Sequence, residues 1–349
     1  MKCTLTKKSR LSTINFSELL FGRVFSDHML VCNYNKGSWQ EPEILPYGPI
    51  SMKPGAQVLH YGQSVFEGMK AFKNTENDIL FFRKEENFNR LNASAKRMSI
   101  PLLPKDIFMN GIKELLRIDR DWCKAEDGFS LYIRPFIFAS AECIKASSSS
   151  EFTFMIITSP TMNYYPNFID LVIEEKFSRA ARGGVGAAKA AGNYAASFYP
   201  TKLANSNGFT QVIWTDAVER KYIEECGTMN IWFRINNKLI TPALSDSILA
   251  GITRDSIIKL ALESNIEVEE RLISVEEIID ASNKGYLKEV FGSGTAVTIV
   301  SVQSITYRNQ KLLIPVQSNS FAKNLKKELQ DIQYGKVEDR YSWITVLES

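Results

Sequence analysis

Ten residues near the middle of the chain, SPTMNYYPNF at 159–168, carry two prolines among polar and aromatic side chains and break the regular pattern on either side. Each flanking stretch has strands and helices enough for its own core, and 349 residues exceed what one core usually serves. The break therefore predicts two domains: a smaller one over 1–160, a linker over 161–170, and a larger one over 171–349.

The first half alternates strand and helix. ILFFRK reads as a strand, and NFNRLNASAKRM as a helix with Phe88, Leu91, Ala95 and Met98 as its apolar stripe and Asn87 as cap. DIFMNGIKELLRI makes a second amphipathic helix through Ile107, Phe108, Ile112, Leu115 and Leu116. LYIRPFIFAS and FTFMIIT are strands flanking a serine loop. The second half is richer in strand. FTQVIWTD and TMNIWFRI are followed by Asn236 and Asn237, which can turn the chain into KLITP. SVEE at 274–277 has capping-box spacing and opens a helix. An α+β fold with two sheets follows, without regular βαβ alternation.

Composition excludes several function classes. A net charge of +3, spread along the chain, offers no basic stripe for nucleic acid. Two histidines and five scattered cysteines without a C-x-x-C pair give neither a histidine metal site nor a disulfide framework, and fit a reducing cytoplasm. No apolar run reaches the ~18 residues of a membrane span. The start, MKCTLTKKSRLSTINFSELL, is basic and rich in Ser and Thr; a frayed, solvated terminus is expected there rather than a transit peptide.

The chemistry-bearing stretch is ARGGVGAAKAAGNYAAS, 181–197. No glycine directly precedes Lys189 and no hydroxyl follows it, so a Walker loop is absent, and G-x-G-x-x-G fails as well. What is left is an amine among the small residues Ala187, Ala188, Ala190 and Ala191. Such neighbours do little to hydrate it, and a desolvated lysine amine suits Schiff-base chemistry. A surface lysine in a glycine-rich turn is the other possibility. Glu225 in EECGTMN is an acid just before a strand: by itself a solvated turn residue, or the carboxylate that a pyridoxal ring nitrogen requires. Gly251, Ile252 and Thr253 open a helix with an apolar face of Ile257, Ile258, Ala261 and Leu262, and VFGSGTA makes a second small-residue turn at 292–296. Backbone amides at both places can hold phosphate. Arg90, at the margin of its helix's apolar stripe, reads in isolation as an exposed helical arginine, yet it matches a phosphate in charge and fork geometry.

These segments together resemble the branched-chain amino acid aminotransferases of the fold-type-IV pyridoxal phosphate class, over nearly the whole chain. HYGQSVFEGMKAF, SLYIRPFIF, KAAGNYAAS, EECGTMNIW, LAGITRDSI and EVFGSGTA carry the likeness, in that order. The resemblance implies a small N-terminal α/β domain, a larger β-rich one, and an active site at their interface. It makes Lys189 the Schiff-base lysine and proton shuttle, with Glu225 on the ring nitrogen and Tyr194 on the ring hydroxyl of pyridoxal 5'-phosphate. Arg90, the amides of Ile252 and Thr253, and Thr295 would bind the phosphate, and Arg179 would support that end. Thr295 and Ala296 would face the substrate carboxylate. Phe21, Tyr61, Phe66, Tyr132, Tyr164 and Thr228 would line the side-chain pocket, with Tyr61, Tyr132 and Arg134 taking the second carboxylate of glutamate.

The implied reaction is ping-pong transfer of the amino group of L-leucine, L-isoleucine or L-valine to 2-oxoglutarate. Ile144 and Ala146 would reach into a partner subunit, which implies a homodimer. The chain departs from some members in lacking a C-x-x-C after the glycine turn, where it reads TAVTIV, and in flanking its lysine with alanines. A D-amino acid aminotransferase, an aminodeoxychorismate lyase or a non-enzymatic relative are the alternatives.

Overall fold

Two ten-residue runs, Ser130–Ala139 and Phe152–Thr161, pair antiparallel along their whole length, from Ser130 opposite Thr161 to Ala139 opposite Phe152. Their near-continuous apolar sequence suits strands covered on both faces. They are β8 and β9 of the first sheet in the computed structural model, which describes residues 1–162, 168–316 and 320–347. Before them come β1 (Lys2–Cys3), β2 (His28–Asn35), β3 (Ser38–Trp39), β4 (Glu43–Pro46), β5 (Ser64–Phe66), β6 (Met69–Lys73) and β7 (Ile79–Phe82). Across the sheet the order is β1-β4-β2-β9-β8-β6-β7, with β3 beside β2 and β5 beside β8.

Three helices belong to this half: α1 (Gln57–Tyr61), α2 (Lys84–Arg97) and α3 (Lys105–Ile118). α3 buries Phe108, Ile112, Leu115 and Leu116, the stripe expected from its period. Gly111 allows its close approach to the sheet, since a Cβ there would stand 2.6 Å from Leu30 Cδ1. α2 buries Leu91 and Ala95 but begins at Lys84, so Asn87 lies inside the helix rather than capping it.

The second sheet holds β10 (Phe168–Ile173), β11 (Gln211–Thr215), β12 (Ile223–Cys226), β13 (Asn230–Ile235), β14 (Lys238–Pro242), β15 (Glu267–Arg271), β16 (Leu287–Gly294), β17 (Thr298–Tyr307) and β18 (Gln310–Leu313). Its order is β12-β11-β10-β17-β16-β13-β14-β15, with β18 beside β17. Parallel pairs (β10 with β11 and β17, β14 with β15) mix with antiparallel ones. The accompanying helices are α4 (Ala191–Ser206), α5 (Ile252–Glu263), α6 (Val275–Asn283) and α7 (Phe321–Gln333). Ser274 caps α6 by accepting from Glu277 N at 3.0 Å, as the SVEE spacing requires. α5 buries Ile252, Thr253, Arg254, Ser256, Ile257, Leu260 and Ala261, while Leu262 is 55% exposed and lies off the expected face. β16 runs through Gly294, so the second glycine segment is strand at Gly292–Gly294 and turn only at 295–297.

The described chain forms two compact units. Met1–Tyr164, Ala188–Gly192 and Asp331–Ser349 make one; Tyr165–Ala187 and Asn193–Gln330 make the other. The C-terminal stretch therefore counts with the first unit, although the sequence reads it as part of 171–349. Its strand β19 (Ile344–Val346) pairs antiparallel with β7, and Tyr334 Oη donates to the Phe129 carbonyl at 2.7 Å. Among the described residues no helix is long and apolar enough to cross a membrane.

The first residues are not frayed. β1 pairs parallel with β4, and Thr6 N donates to His28 Nε2 at 2.9 Å. Asp27 accepts from Ser9 Oγ at 2.5 Å, Arg10 N at 2.9 Å and Trp122 Nε1 at 3.0 Å. Burial pushes the Asp27 carboxyl up, but these donors outweigh it and hold it below its ordinary 3.8. A depressed carboxyl contributes stability above its unfolded value and loses it as pH falls through the folded one. The gap in melting temperature between wild type and Asp27→Asn should thus be full at neutral pH and narrow below pH 3.8. A gap constant across that range would remove the carboxylate from the account.

Candidate active site

α2 carries a polar stripe on a buried face. Asn87, Arg90 and Ser94 stand at i, i+3 and i+7, with Asn87 and Ser94 almost wholly buried. Glu67, just past the end of β5, has no exposed surface. Arg90 grips it with two parallel bonds, Nε to Oε1 at 2.7 Å and Nη2 to Oε2 at 2.8 Å. Asn87 Nδ2 adds a bond at 2.7 Å, and Gly68 N another at 3.1 Å. Burial pushes the Glu67 carboxyl up, but the Arg90 and Lys189 cations and these bonds hold it below its usual range.

Lys189 belongs to the same unit because its backbone pairs antiparallel beside β5. Phe66 N donates to the Lys189 carbonyl at 3.0 Å, and Ala190 bridges Val65. Lys189 N donates to Ser94 Oγ at 2.9 Å, so α2 fixes both Glu67 and the lysine. The half-buried amine lies 4.8 Å from the centre of the Phe66 ring. Arg134 sits over that ring at 4.6 Å, and its Nη2 donates to Tyr132 Oη at 3.0 Å. Phe21 packs edge-on to Tyr132. Gly68 carries no side chain because a Cβ would stand 2.0 Å from the Tyr132 hydroxyl. Phe21, Phe66, Tyr132, Arg134 and Lys189 are thus one group. Tyr61 makes a different contact: it is 48% exposed on α1, and its hydroxyl donates to the Ile144 carbonyl.

A second constellation forms within the other unit. Glu225 on β12 is buried, accepts from Leu249 N at 2.8 Å, and pairs with Arg179 Nη2 at 2.9 Å. Arg179 also donates to the Ser247 carbonyl, and Ser247 Oγ donates to Glu224 at 2.5 Å. Burial pushes the neighbouring Glu224 carboxyl up. Arg179 therefore lies against the acid of EECGTMN, whereas the resemblance had it supporting the phosphate end. Asn230 Nδ2 donates to the Leu249 carbonyl at 3.0 Å, and a Cβ on Gly251 would stand 2.0 Å from Asn230 Oδ1. A Cβ on Gly292 would meet Met229 at 3.0 Å. EECGTMN, LAGITRD and FGSGTA are thereby packed together. Ile252 and Thr253 open α5 behind Gly251, a cap residue that makes no side-chain bond to the first turn.

A family model for class IV amino-transferases matches residues 64–305, a span that takes in the second constellation and all of the first but Phe21. The chain belongs to the class IV aminotransferases. Among the relatives, branched-chain-amino-acid aminotransferase 2 of Bacillus subtilis is 43% identical over 99% of this chain and 96% of its own length. A probable branched-chain-amino-acid aminotransferase of Staphylococcus aureus N315 is 46% identical over 95% and 94%. The crystal structure of the Escherichia coli branched-chain amino acid aminotransferase superposes with a TM-score of 0.76 at 28% identity, covering 92% of this chain and 99% of the other.

In this aminotransferase, Tyr194 is half-buried in the first turn of α4, while Thr228 is exposed between β12 and β13. Thr295 and Ala296 are half-buried in the β16–β17 turn. Tyr164 lies outside the described residues. From the sequence Asn87 reads only as a helix cap, and Glu67, Ser94 and Asn230 carry no expected role; polar residues at helical spacing, next to an acid in FEG, were the available signal for Glu67, Asn87 and Ser94.

Removing one partner of a buried ion pair costs about 3–5 kcal/mol. Arg179→Met should lower unfolding stability by that order in urea titrations, and the double variant with Glu225→Gln should lose less than the sum of the single changes. Strictly additive losses would show the pair to be energetically idle.

Proposed function

We propose that this aminotransferase transfers the amino group of L-leucine, L-isoleucine or L-valine to 2-oxoglutarate in two half-reactions, giving branched 2-oxo acids and L-glutamate. The observation that carries this reading is the group around the lysine: apolar Phe21 and Phe66 stand beside the Tyr132 hydroxyl and the Arg134 guanidinium. Apolar walls accept a branched side chain, and the polar corner accepts the distal carboxylate of glutamate. The resemblance and the names of the relatives support the same substrates.

Class IV aminotransferases work with pyridoxal 5'-phosphate, which supplies an aldehyde for the amino group and a ring that withdraws electrons from the α carbon. The residues fit such a group. Arg134 Nε and Arg179 Nε are buried donors without an acceptor among the described residues. Such donors are costly to leave unmade, so bound anionic groups would relieve them. Lys189 would hold the aldehyde end, Tyr194 the ring hydroxyl and Glu225 the ring nitrogen. Arg90, the Ile252 and Thr253 amides and Thr295 would hold the phosphate.

The chain's own part in the chemistry is then proton handling and orientation. Lys189 Nζ takes the proton from the substrate α carbon and returns it. Glu225, kept in place by Arg179 and Leu249 N, would offer the ring nitrogen a fixed acceptor. The Thr295 and Ala296 amides receive the α carboxylate. A homodimer belongs to the same reading: Ile144 and Ala146 are exposed on a loop held by Tyr61, available to a second copy. Action in the cytoplasm also belongs to it.

Lys189→Ala should abolish both the visible absorbance of bound cofactor and turnover of L-leucine with 2-oxoglutarate. Normal turnover by that variant would overthrow the reading, and turnover of D-alanine but not L-leucine by wild type would move the protein to the D-specific class. Glu225→Gln should retain cofactor while its rate falls by about 100-fold or more. An unchanged rate in assays with saturating cofactor would dismiss the ring-nitrogen role.

A further inference from the structure

We infer that Glu67 is a positioning residue for the transamination, fixing the Arg90 guanidinium for an anion and setting the charge felt at the Lys189 amine. The inference rests on the proposed roles of Arg90 and Lys189. Both Glu67 oxygens are committed to Arg90, and Asn87 and Gly68 N hold the carboxylate from its other directions. A bidentate fork fixes the guanidinium plane. With Nε and Nη2 engaged, the plane of the guanidinium is set before any phosphate arrives. The saving is in preorganisation, because a long arginine would otherwise be ordered on binding.

The second part of the inference is electrostatic. Arg90 is paired with Glu67, and Lys189 lies beside the same strand end: its carbonyl accepts from Phe66 N, one residue before Glu67, and its amine is 4.8 Å from the centre of the Phe66 ring. A carboxylate held this close contributes to the field at the lysine nitrogen, so removing its charge changes that field. A buried ion pair is weak evidence of stabilisation, since apolar residues of similar volume often serve a core as well. Its place beside the reactive lysine gives this pair another use.

The test compares wild type, Glu67→Gln and Glu67→Asp by two readouts: affinity for pyridoxal 5'-phosphate in equilibrium dialysis, and the pH midpoint of the visible band of the loaded protein without substrate. Glu67→Gln, which removes the charge, should weaken affinity about tenfold or more and lower the pH midpoint by ~1 unit. Glu67→Asp keeps the charge but shortens the arm, so its midpoint should stay near wild type while affinity falls. A Glu67→Gln protein that loses thermal stability yet keeps wild-type affinity and midpoint would overturn the inference. Should that variant not fold, Glu67→Asp decides, with wild-type affinity overturning it and weakened affinity supporting it. A wild-type protein that binds no pyridoxal 5'-phosphate would sink the functional reading and this inference together, whereas the variant outcomes sink the inference alone.

Discussion

A carboxylate with no exposed surface can persist only if its desolvation is offset by charge and hydrogen bonds, and Glu67 sets that condition for the first unit. Four donors meet it, three of them from α2. The helix must then turn Asn87 and Arg90 toward the end of β5 while Leu91 and Ala95 keep their place in the core. The rotation of α2 about its axis is thereby fixed twice, once by apolar burial and once by the ion pair. Ser94, one turn beyond Arg90, is carried into position to accept from Lys189 N. The backbone of Lys189 is thus located by a helix whose own rotation is set by the Glu67–Arg90 pair.

The second unit solves the same problem with different parts. Glu225 is buried on a strand and met by a guanidinium and a backbone amide, Arg179 and Leu249 N. The amide comes from the loop before α5, so the helix start and the acid are tied through one residue. Glycine then removes obstacles: Gly251 leaves space for the Asn230 amide, and Gly292 lets the Met229 side chain cross its strand. These glycines are required by close approach, and neither has a positive φ.

Apolar period made much of this legible. α3, β8, β9 and the α6 cap stand where the sequence places them, because each depends on neighbours within a few residues. The polar stripe of α2 was hidden by that success. Once Leu91 and Ala95 define a core face, Asn87 reads as a cap and Arg90 as its margin, and only the fold brings Glu67 against both. Arg179 is farther still from any local signal, since its partner lies across a loop, a helix and a strand of sequence. The start of the chain misleads for the opposite reason. Its Ser, Thr and basic residues look solvated in isolation, yet Ser9 and Arg10 meet an aspartate seventeen or eighteen residues on.

The alanines beside Lys189 need a different explanation from the one their size suggests. Ala188 and Ala190 are almost fully buried, Ala187 is exposed, and Lys189 is half-buried, which is the alternation of an extended segment. Ala190 bridges Val65 while the Lys189 carbonyl accepts from Phe66. The small residues at 188 and 190 are therefore explained by packing, because a larger side chain at either would press into the unit to which the segment is docked. The apolar neighbour of the amine comes instead from Phe66, a residue more than a hundred positions earlier, whose ring also carries Arg134. Substitution at 188 or 190 would thus disturb where the lysine sits, whereas substitution at Phe66 would change what the amine and the guanidinium have in common.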